Sequence, residues 1–525
     1  MVAARAVTPL TIGPVSFDLY ISGCSMTNVA DRVWQHASER PDAIALRHLD
    51  DTLSYAELAR RSAAFGGHLT ESGVAVGDRV LLVAPTVPEF VIAYLGAHLI
   101  GAVAIPVNTM ATAPEIGYVL DDSGARYAVA WHLARTATEQ AAAERGIPVQ
   151  VLEPGAHTSP AQPVVEPVRR DPDDTAILLY TSGTTGKPKG VELTVANLIE
   201  TARIFIDQLR LTPEERFGTG LPLFHVYGQA VCLITTLHAG SSFSVVSPFT
   251  PGAMIETIRD HGLTVVAGVP TMWNAMLHSA GDYGPEDFAS LRLACSGGAS
   301  LPVEVIRAFS ERFGCTILEG YGLTESSGAA TYNALDREQR AGSVGTALPG
   351  TSIEVRDPEG TVLPSDTVGE LFMRGPSVMK GYWQRPDATA TELSGGWLRT
   401  GDLGRVDADG YVYIVDRAKD LIIRGGYNVY PREVEEVLYE HPGIVEVAVI
   451  GLPDDHYGEE VGAVVASAPG VDLDPQELRA WAKERLSAYK VPHRFAFTDQ
   501  LPKGATGKIL KRAIDPNLFT DKASR

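Results

Sequence analysis

Tyr180-Thr181-Ser182-Gly183-Thr184-Thr185-Gly186-Lys187-Pro188-Lys189-Gly190 is the stretch on which the reading of this chain turns. It packs three glycines, four Ser/Thr hydroxyls and two lysines into eleven residues. The apolar run before it, 176–180, reads as a buried strand. Glycines let the backbone turn tightly and present N–H groups, and the hydroxyls and ammonium groups complete a cradle for phosphate oxygens. Gly/Ser/Thr clusters ordinarily mark plain loops. The two lysines and the preceding strand set this one apart and predict a nucleotide-phosphate site. The spacing excludes the Walker loop, which needs four residues between its first glycine and Gly-Lys, and Ser or Thr after the lysine. Here Gly183 and Gly186 enclose two residues, and Pro188 follows Lys187.

Outward from this loop the chain alternates strand-like and helix-like segments. Ser54 and Glu57 form a capping box ahead of an Ala/Leu-rich helix. Residues 79–83, 265–269 and 291–295 read as buried strands. Thr194 can cap a helix whose Val195, Leu198, Ile199, Ala202, Ile206 and Leu209 share one face. Repeated βα alternation predicts a layered α/β architecture. The last hundred residues differ. They predict a helix over 431–440 with Val434, Val437 and Leu438 facing inward, a strand over 445–450, and a helix opened by Asp474-Pro475. The expectation is a large, multi-subdomain layered α/β domain over 26–416, then a small, mobile α+β domain over 417–525. Residues 1–25 read as an extension.

At 525 residues the chain exceeds what one core serves. A net charge of -20 argues against general binding to nucleic acid or anionic membranes. The four cysteines have no metal or disulfide spacing, so a reducing, cytoplasmic setting is expected. No apolar run approaches membrane-span length, and the C-terminal residues carry no peroxisomal tripeptide.

Further motifs stand in order along the chain: Ser296-Gly297-Gly298-Ala299, Tyr321-Gly322-Leu323-Thr324-Glu325, Thr400-Gly401-Asp402, Asp416-Arg417-Ala418-Lys419-Asp420 and Gly504-Ala505-Thr506-Gly507-Lys508. Together with the phosphate loop they resemble the adenylate-forming superfamily: acyl-CoA synthetases, peptide-synthetase adenylation domains and beetle luciferases. The resemblance runs from about Val29 to Arg512.

The resemblance implies an enzyme that joins a carboxylate to ATP through an acyl-adenylate, releasing pyrophosphate and then AMP. Thr181, Ser182, Gly183, Thr184, Thr185, Gly186, Lys187 and Lys189 would wrap the β- and γ-phosphates. Gly297, Gly298 and Ala299 would pass beneath adenine, beside Glu319, Gly320, Tyr321 and Gly322. Thr324 would bond the α-phosphate. Thr181 and Glu325 would hold Mg²⁺, a cation that takes hard oxygen ligands. Asp402 would accept the ribose hydroxyls, with Ile414 and Arg417 at the same end. Lys508 is the implied adenylation lysine, a compact, mobile point charge. Lys419 is the implied hinge, about which the small domain rotates to bring Arg424, Gly425 and Gly426 to the coenzyme A side. His225 matches a position lining the acyl entrance, although a packed histidine is the plainer reading. One departure is Leu193-Thr194-Val195-Ala196-Asn197, which has Val195 where the family commonly has histidine.

The acyl pocket is expected from His225, Val226, Val231, Val269, Met272, Trp273 and Gly320, all but the first apolar or small. Malonate-activating relatives carry an arginine about where Ala275 stands, and without it a second carboxylate would be buried unpaired. His225 occupies the region where peptide synthetases carry an acidic anchor. A monocarboxylic acid, fatty and of medium or long chain, is therefore expected, with Gly320 leaving the tunnel open. Aryl acids are the alternative. Coenzyme A is the expected acceptor, because 345–375 shows no insertion of the kind that marks carrier-protein-loading relatives. Loading of an acyl carrier protein is the other acceptor, and a homodimer is a further expectation. A non-catalytic nucleotide sensor and a P-loop NTPase are the readings from other classes.

Overall fold

The computed structural model describes residues 26–155, 162–181, 187–279, 281, 283–468, 470–504 and 506–519. Ser182, Gly183, Thr184, Thr185 and Gly186, and the extension before Met26, lie outside the described residues.

Two sheets with parallel centres build the large N-terminal domain. In one, Thr175–Thr181, Val103–Pro106, Arg79–Val83, Tyr127–Trp131 and Val149–Leu152 lie side by side in parallel. In the other, the parallel centre runs through Ile317–Tyr321, Leu293–Ser296, Val265–Gly268, Arg216–Thr219, Ser242–Val245 and Ile44–His48. Sheets of this kind are covered on both faces, so their strands are apolar throughout. Arg79–Val83 shows this. Val80 and Leu82 enter one core with Phe90 and Tyr94, while Leu81 and Val83 enter another with Ile116 and Leu120.

The local signals act as their chemistry dictates. The Ser54 hydroxyl accepts the Glu57 N–H at 3.2 Å and starts the helix Tyr55–Glu71. The Glu57 carboxylate pairs with Arg60 and Arg61 instead of completing the box. Thr194 and Asn197 cap the helix Val195–Leu209 reciprocally. The Asn197 side chain also donates to the carbonyls of Pro376 and Val378, at 2.7 and 2.9 Å. It thereby ties this helix to the segment leading into Tyr382. The strands expected at 265–269 and 291–295 are Val265–Gly268 and Leu293–Ser296.

An antiparallel sheet ends with Val412–Arg417, and a separate sheet begins at Ile422–Arg424. The second belongs to a smaller C-terminal domain. There the helices Pro431–Tyr439 and Pro475–Arg485 pack Val434, Leu438 and Leu478 against Val447 and Val449 of the strand Ile444–Asp454. Val437, expected to face inward, is only half-buried. The Asp474 carboxylate caps the second helix at the Gln476 N–H. Hydrogen bonds dock this domain on the large one, among them two from Arg432 to Asp416 and to the Ile414 carbonyl, at 3.0 and 2.6 Å. Thr271 Oγ1 donates to the Gly507 carbonyl at 2.9 Å, Asn274 Nδ2 to the Val445 carbonyl at 2.9 Å, and the Val303 N–H to Glu436 Oε2 at 3.3 Å. Among the described residues no helix is long and apolar enough to cross a membrane.

Candidate active site

Thr181 pairs with Lys189 and Tyr180 with Gly190 in antiparallel register. The glycine-rich loop therefore joins two strands of a hairpin, not a strand to a helix. Its base is anchored from below, where Tyr118 donates to the Pro188 carbonyl at 2.7 Å and Tyr180 to Asp122 at 2.9 Å. Lys189 lines the adjoining cavity, its ammonium 4.8 Å from the centre of the Tyr382 ring. Lys187 is exposed, 5.5 Å from the Tyr118 ring, and does not line the cavity.

The cavity has two lobes of about 490 and 440 Å³ at the seam between the domains. Val269, Gly298, Gly320, Tyr321, Gly322, Asp402, Arg417, Lys419 and Lys508 line both. Thr181, His225, Val226, Val231, Gly297, Thr324 and Glu325 line the first, and Ala299, Glu319 and Ile414 the second. Segments from the ends of several strands and from the C-terminal domain thus converge on one cleft. Gly298 turns there at φ +81°, a left-handed conformation that suits glycine.

The polar groups are held by specific bonds. Tyr321 donates to one Asp402 oxygen at 2.6 Å, and Arg417 Nε lies 3.3 Å from the other. A carboxylate has about four lone-pair sites, so Asp402 keeps acceptor capacity for a diol. Glu325 Oε1 accepts from the Tyr382 hydroxyl at 3.0 Å, and burial raises the Glu325 carboxyl above its usual range. Mg²⁺ is ordinarily held by one or two carboxylates plus substrate phosphates. Glu325, with Thr181 on the same wall, fits that requirement, and no larger cluster of metal-ligating side chains occurs among the described residues.

Lys508 tips a turn closed by the Gly504 N–H to Lys508 carbonyl bond at 2.8 Å. Burial, then the Arg417 charge, lower its ammonium to about 8. Burial and then Lys508 lower His225 to about 4, so the imidazole is neutral. Its Nδ1 accepts the Tyr227 N–H at 3.3 Å. Burial raises Glu319 to about 7, and its Oε2 has no hydrogen-bond partner.

Several expectations about the acyl pocket need correction. Trp273, on the helix Pro270–His278, is fully buried 5.4 Å from the Phe309 ring in a separate core, and does not line the cavity. Met272 does not line it either. The space a side chain at Gly320 would take is occupied, because a Cβ there would lie 2.7 Å from Tyr332 Cδ2. Arg424 is bound bidentately to Glu460 at 2.6 and 2.9 Å within the C-terminal sheet, and neither it nor Gly425 or Gly426 lines the cleft in this arrangement. Sequence reading missed Phe205, Phe217, Tyr332 and Tyr382, which line the first lobe together with Tyr227. The only signal for Tyr227 was its place beside His225. It opens a π-helical turn, Tyr227–Ile234, and such turns often mark functional sites.

The AMP-binding enzyme family profile matches residues 33–383, and that of the AMP-binding enzyme C-terminal domain matches residues 433–508. A feruloyl-CoA synthase of an Amycolatopsis species is 39% identical over 91% of this chain and 97% of its own. A sulfoacetate–CoA ligase of Cupriavidus necator is 37% identical over 90% and 94%. A long-chain-fatty-acid–CoA ligase of Bacillus subtilis is 34% identical over 91% and 92%. The crystal structure of ATP-bound MatB from Rhodopseudomonas palustris superposes with a TM-score of 0.87 at 35% identity, covering 92% of this chain and 98% of that one. The chain belongs to the AMP-binding enzyme family and is an ATP- and coenzyme A-using acid–thiol ligase of the adenylate-forming, acyl-CoA synthetase type.

Proposed function

We propose that this ligase activates a compact, ring-bearing monocarboxylic acid. One observation carries the reading: the apolar part of the cleft is lined by deeply buried side chains, two of them meeting as aromatic rings. Phe205, Leu209, Phe217, Val231, Cys295 and Tyr332 line it, and each is at most 4% exposed. Phe205 and Tyr332 meet edge to face at 5.9 Å, and Tyr332 donates to Cys295 Sγ at 3.0 Å. A flat ring finds aromatic partners there. Similarity to the feruloyl-CoA synthase supports the same class. The second reading is the medium- or long-chain fatty acid, favoured by the apolar lining and by similarity to the Bacillus ligase.

In the first step a carboxylate oxygen bonds the α-phosphorus, and the bond from that phosphorus to pyrophosphate breaks. Tyr321 stacks on adenine, Asp402 holds the ribose, and Thr324 bonds the α-phosphate. Lys508 offsets the charge between acid and nucleotide, the electrostatic term that dominates such sites. Residues 181–189 retain the leaving pyrophosphate. Glu325 and Thr181 would hold Mg²⁺, which supplies neutralisation of phosphate charge. His225, neutral and half-buried, orients the acid by hydrogen bonding. In the second step the domain 417–525 turns about Lys419, Lys508 withdraws, and Arg424 to Gly426 face coenzyme A. The thiol sulfur bonds the acyl carbon as AMP departs.

The test is a panel of aryl, arylalkenoic and fatty acids, each offered with coenzyme A or with a phosphopantetheinylated carrier protein. Acid-dependent exchange of pyrophosphate into ATP and product mass are read. Coenzyme A thioesters of ring-bearing acids are expected. Preference for long-chain acids would overturn the acid assignment, and product only on the carrier would overturn the acceptor.

A further inference from the structure

Tyr382 touches both halves of the phosphate and metal site, although it belongs to neither motif. It sits on the two-residue strand Gly381–Tyr382, which pairs with Lys189–Thr194 in the register Tyr382 to Val191. Its neighbour Trp383 donates its N–H to the Gly190 carbonyl at 2.8 Å, and Met379 donates to the Glu325 carbonyl at 2.8 Å. Residues 379–383 are thereby stitched to the return strand of the phosphate hairpin on one side and to the Glu325 turn on the other. From that position the hydroxyl reaches Glu325 Oε1 at 3.0 Å and the ring lies beneath the Lys189 ammonium at 4.8 Å. Tyr382, Glu325 and Lys189 all line the first lobe. Lys189 has no carboxylate partner among the described residues, so the ring is its named support.

We infer that Tyr382 is a positioning residue that couples the metal carboxylate to the phosphate-loop cation, and so prepares the site for the metal–nucleotide complex as one unit. The inference rests on the proposed role of Glu325. A hydroxyl bonded to Oε1 fixes the plane of the carboxylate that would hold the cation. Residues that orient a metal ligand in this way typically change metal affinity ten- to hundredfold on removal. The ring acts separately. It attracts the ammonium of Lys189 through its quadrupole and limits where that long side chain can go. The phenol and the ring thus serve two different charges, and substitutions can separate them.

Binding calorimetry of the full-length protein with ATP, in excess Mg²⁺ and in chelator, reads the two effects directly. Tyr382→Phe keeps the ring and removes the hydroxyl. It is expected to weaken binding in Mg²⁺ about tenfold and to leave metal-free binding unchanged. Tyr382→Leu removes both, and is expected to weaken metal-free binding as well, by about threefold. Lys189→Met supplies the same metal-free loss if the leucine variant does not fold. Glu325→Gln should reproduce the loss in Mg²⁺. If Glu325→Gln weakens binding in Mg²⁺ and Tyr382→Phe does not, the positioning role is wrong and the site assignment stands. If Glu325→Gln is also without effect, the assignment itself falls. Equal losses with and without metal in Tyr382→Phe would mark a merely structural residue and overturn the inference.

Discussion

In the proposed mechanism, closing the C-terminal domain carries Lys508 into a desolvated site, and the pH response of the first half-reaction should show it. Burial and the Arg417 charge lower the ammonium from 10.5 to about 8, against the opposing pull of Asp402 and Asp420. That displacement corresponds to about 3 kcal/mol against the charged form. The sign follows from counting protons. With the domain undocked the solvated lysine keeps its ordinary value, so between pH 8 and 10.5 the closed state binds fewer protons than the open one. Closure of the unloaded enzyme is therefore penalised in full below about pH 8 and eases as pH rises. Catalysis needs the opposite, because the ammonium must face phosphate. Unit charges about 4 Å apart at an effective dielectric of about 20 attract by about 4 kcal/mol, which is about a thousandfold in rate. The kcat/KM for ATP, measured by pyrophosphate exchange, should fall as pH rises through about 8. Lys508→Arg, whose guanidinium stays charged, should lower the rate and abolish the alkaline limb. Lys508→Met should lose about a thousandfold in exchange and close more tightly when unloaded, seen as slower backbone hydrogen exchange over 506–511. An alkaline limb that persists in the arginine variant, or looser closure in the methionine variant, would refute the reasoning.

Thr271→Val and Asn274→Ala each remove one docking hydrogen bond, worth about 1 kcal/mol. Each should slow pyrophosphate exchange about fivefold while leaving the conversion of supplied acyl-adenylate to thioester unchanged. Gly320→Ala would drive its Cβ into the Tyr332 ring. The KM for the acid should rise about tenfold, in line with the usual cost of overpacking, with the KM for ATP unmoved. Trp273→Ala should destabilise the fold by about 3–5 kcal/mol, lowering the thermal midpoint without altering acid preference. A change in preference would return Trp273 to the acyl pocket.

The chemistry of this chain was legible because its polar groups stand in short contiguous motifs that chain geometry keeps together. Tyr321 to Glu325 is one such segment, and Asp402 lies within the single strand Trp397–Val406. Helix starts were legible for the same reason, since Ser54, Thr194 and Asp474 each satisfy N–H groups two or three residues ahead. The hairpin form of the phosphate loop was not legible. Whether the chain leaves such a loop as strand or helix depends on whether a neighbouring strand waits for it. Here Lys189–Thr194 is held between Thr175–Thr181 and Gly381–Tyr382, the latter nearly 200 residues away in the sequence.

Trp273 was misplaced for a related reason, although His225, Val226, Val231, Val269 and Gly320 do line the cavity. Trp273 and Tyr332 are both large aromatic residues close to a motif, and composition cannot rank them. What separates them is the face of the sheet each occupies. Cys295 and Leu318 point to the core shared with the cleft, while Ala294 and Ile317, one residue earlier on each strand, point to the core that holds Trp273. The helix Pro270–His278 covers this second face and takes Trp273 with it. Tyr332 instead lies on the strand that pairs Gly320 with it directly, and the missing side chain at Gly320 admits its ring. A small residue beside a binding motif therefore does not by itself mean an open channel. It can equally be the seat of a large neighbour, as Gly320 is for the Tyr332 ring.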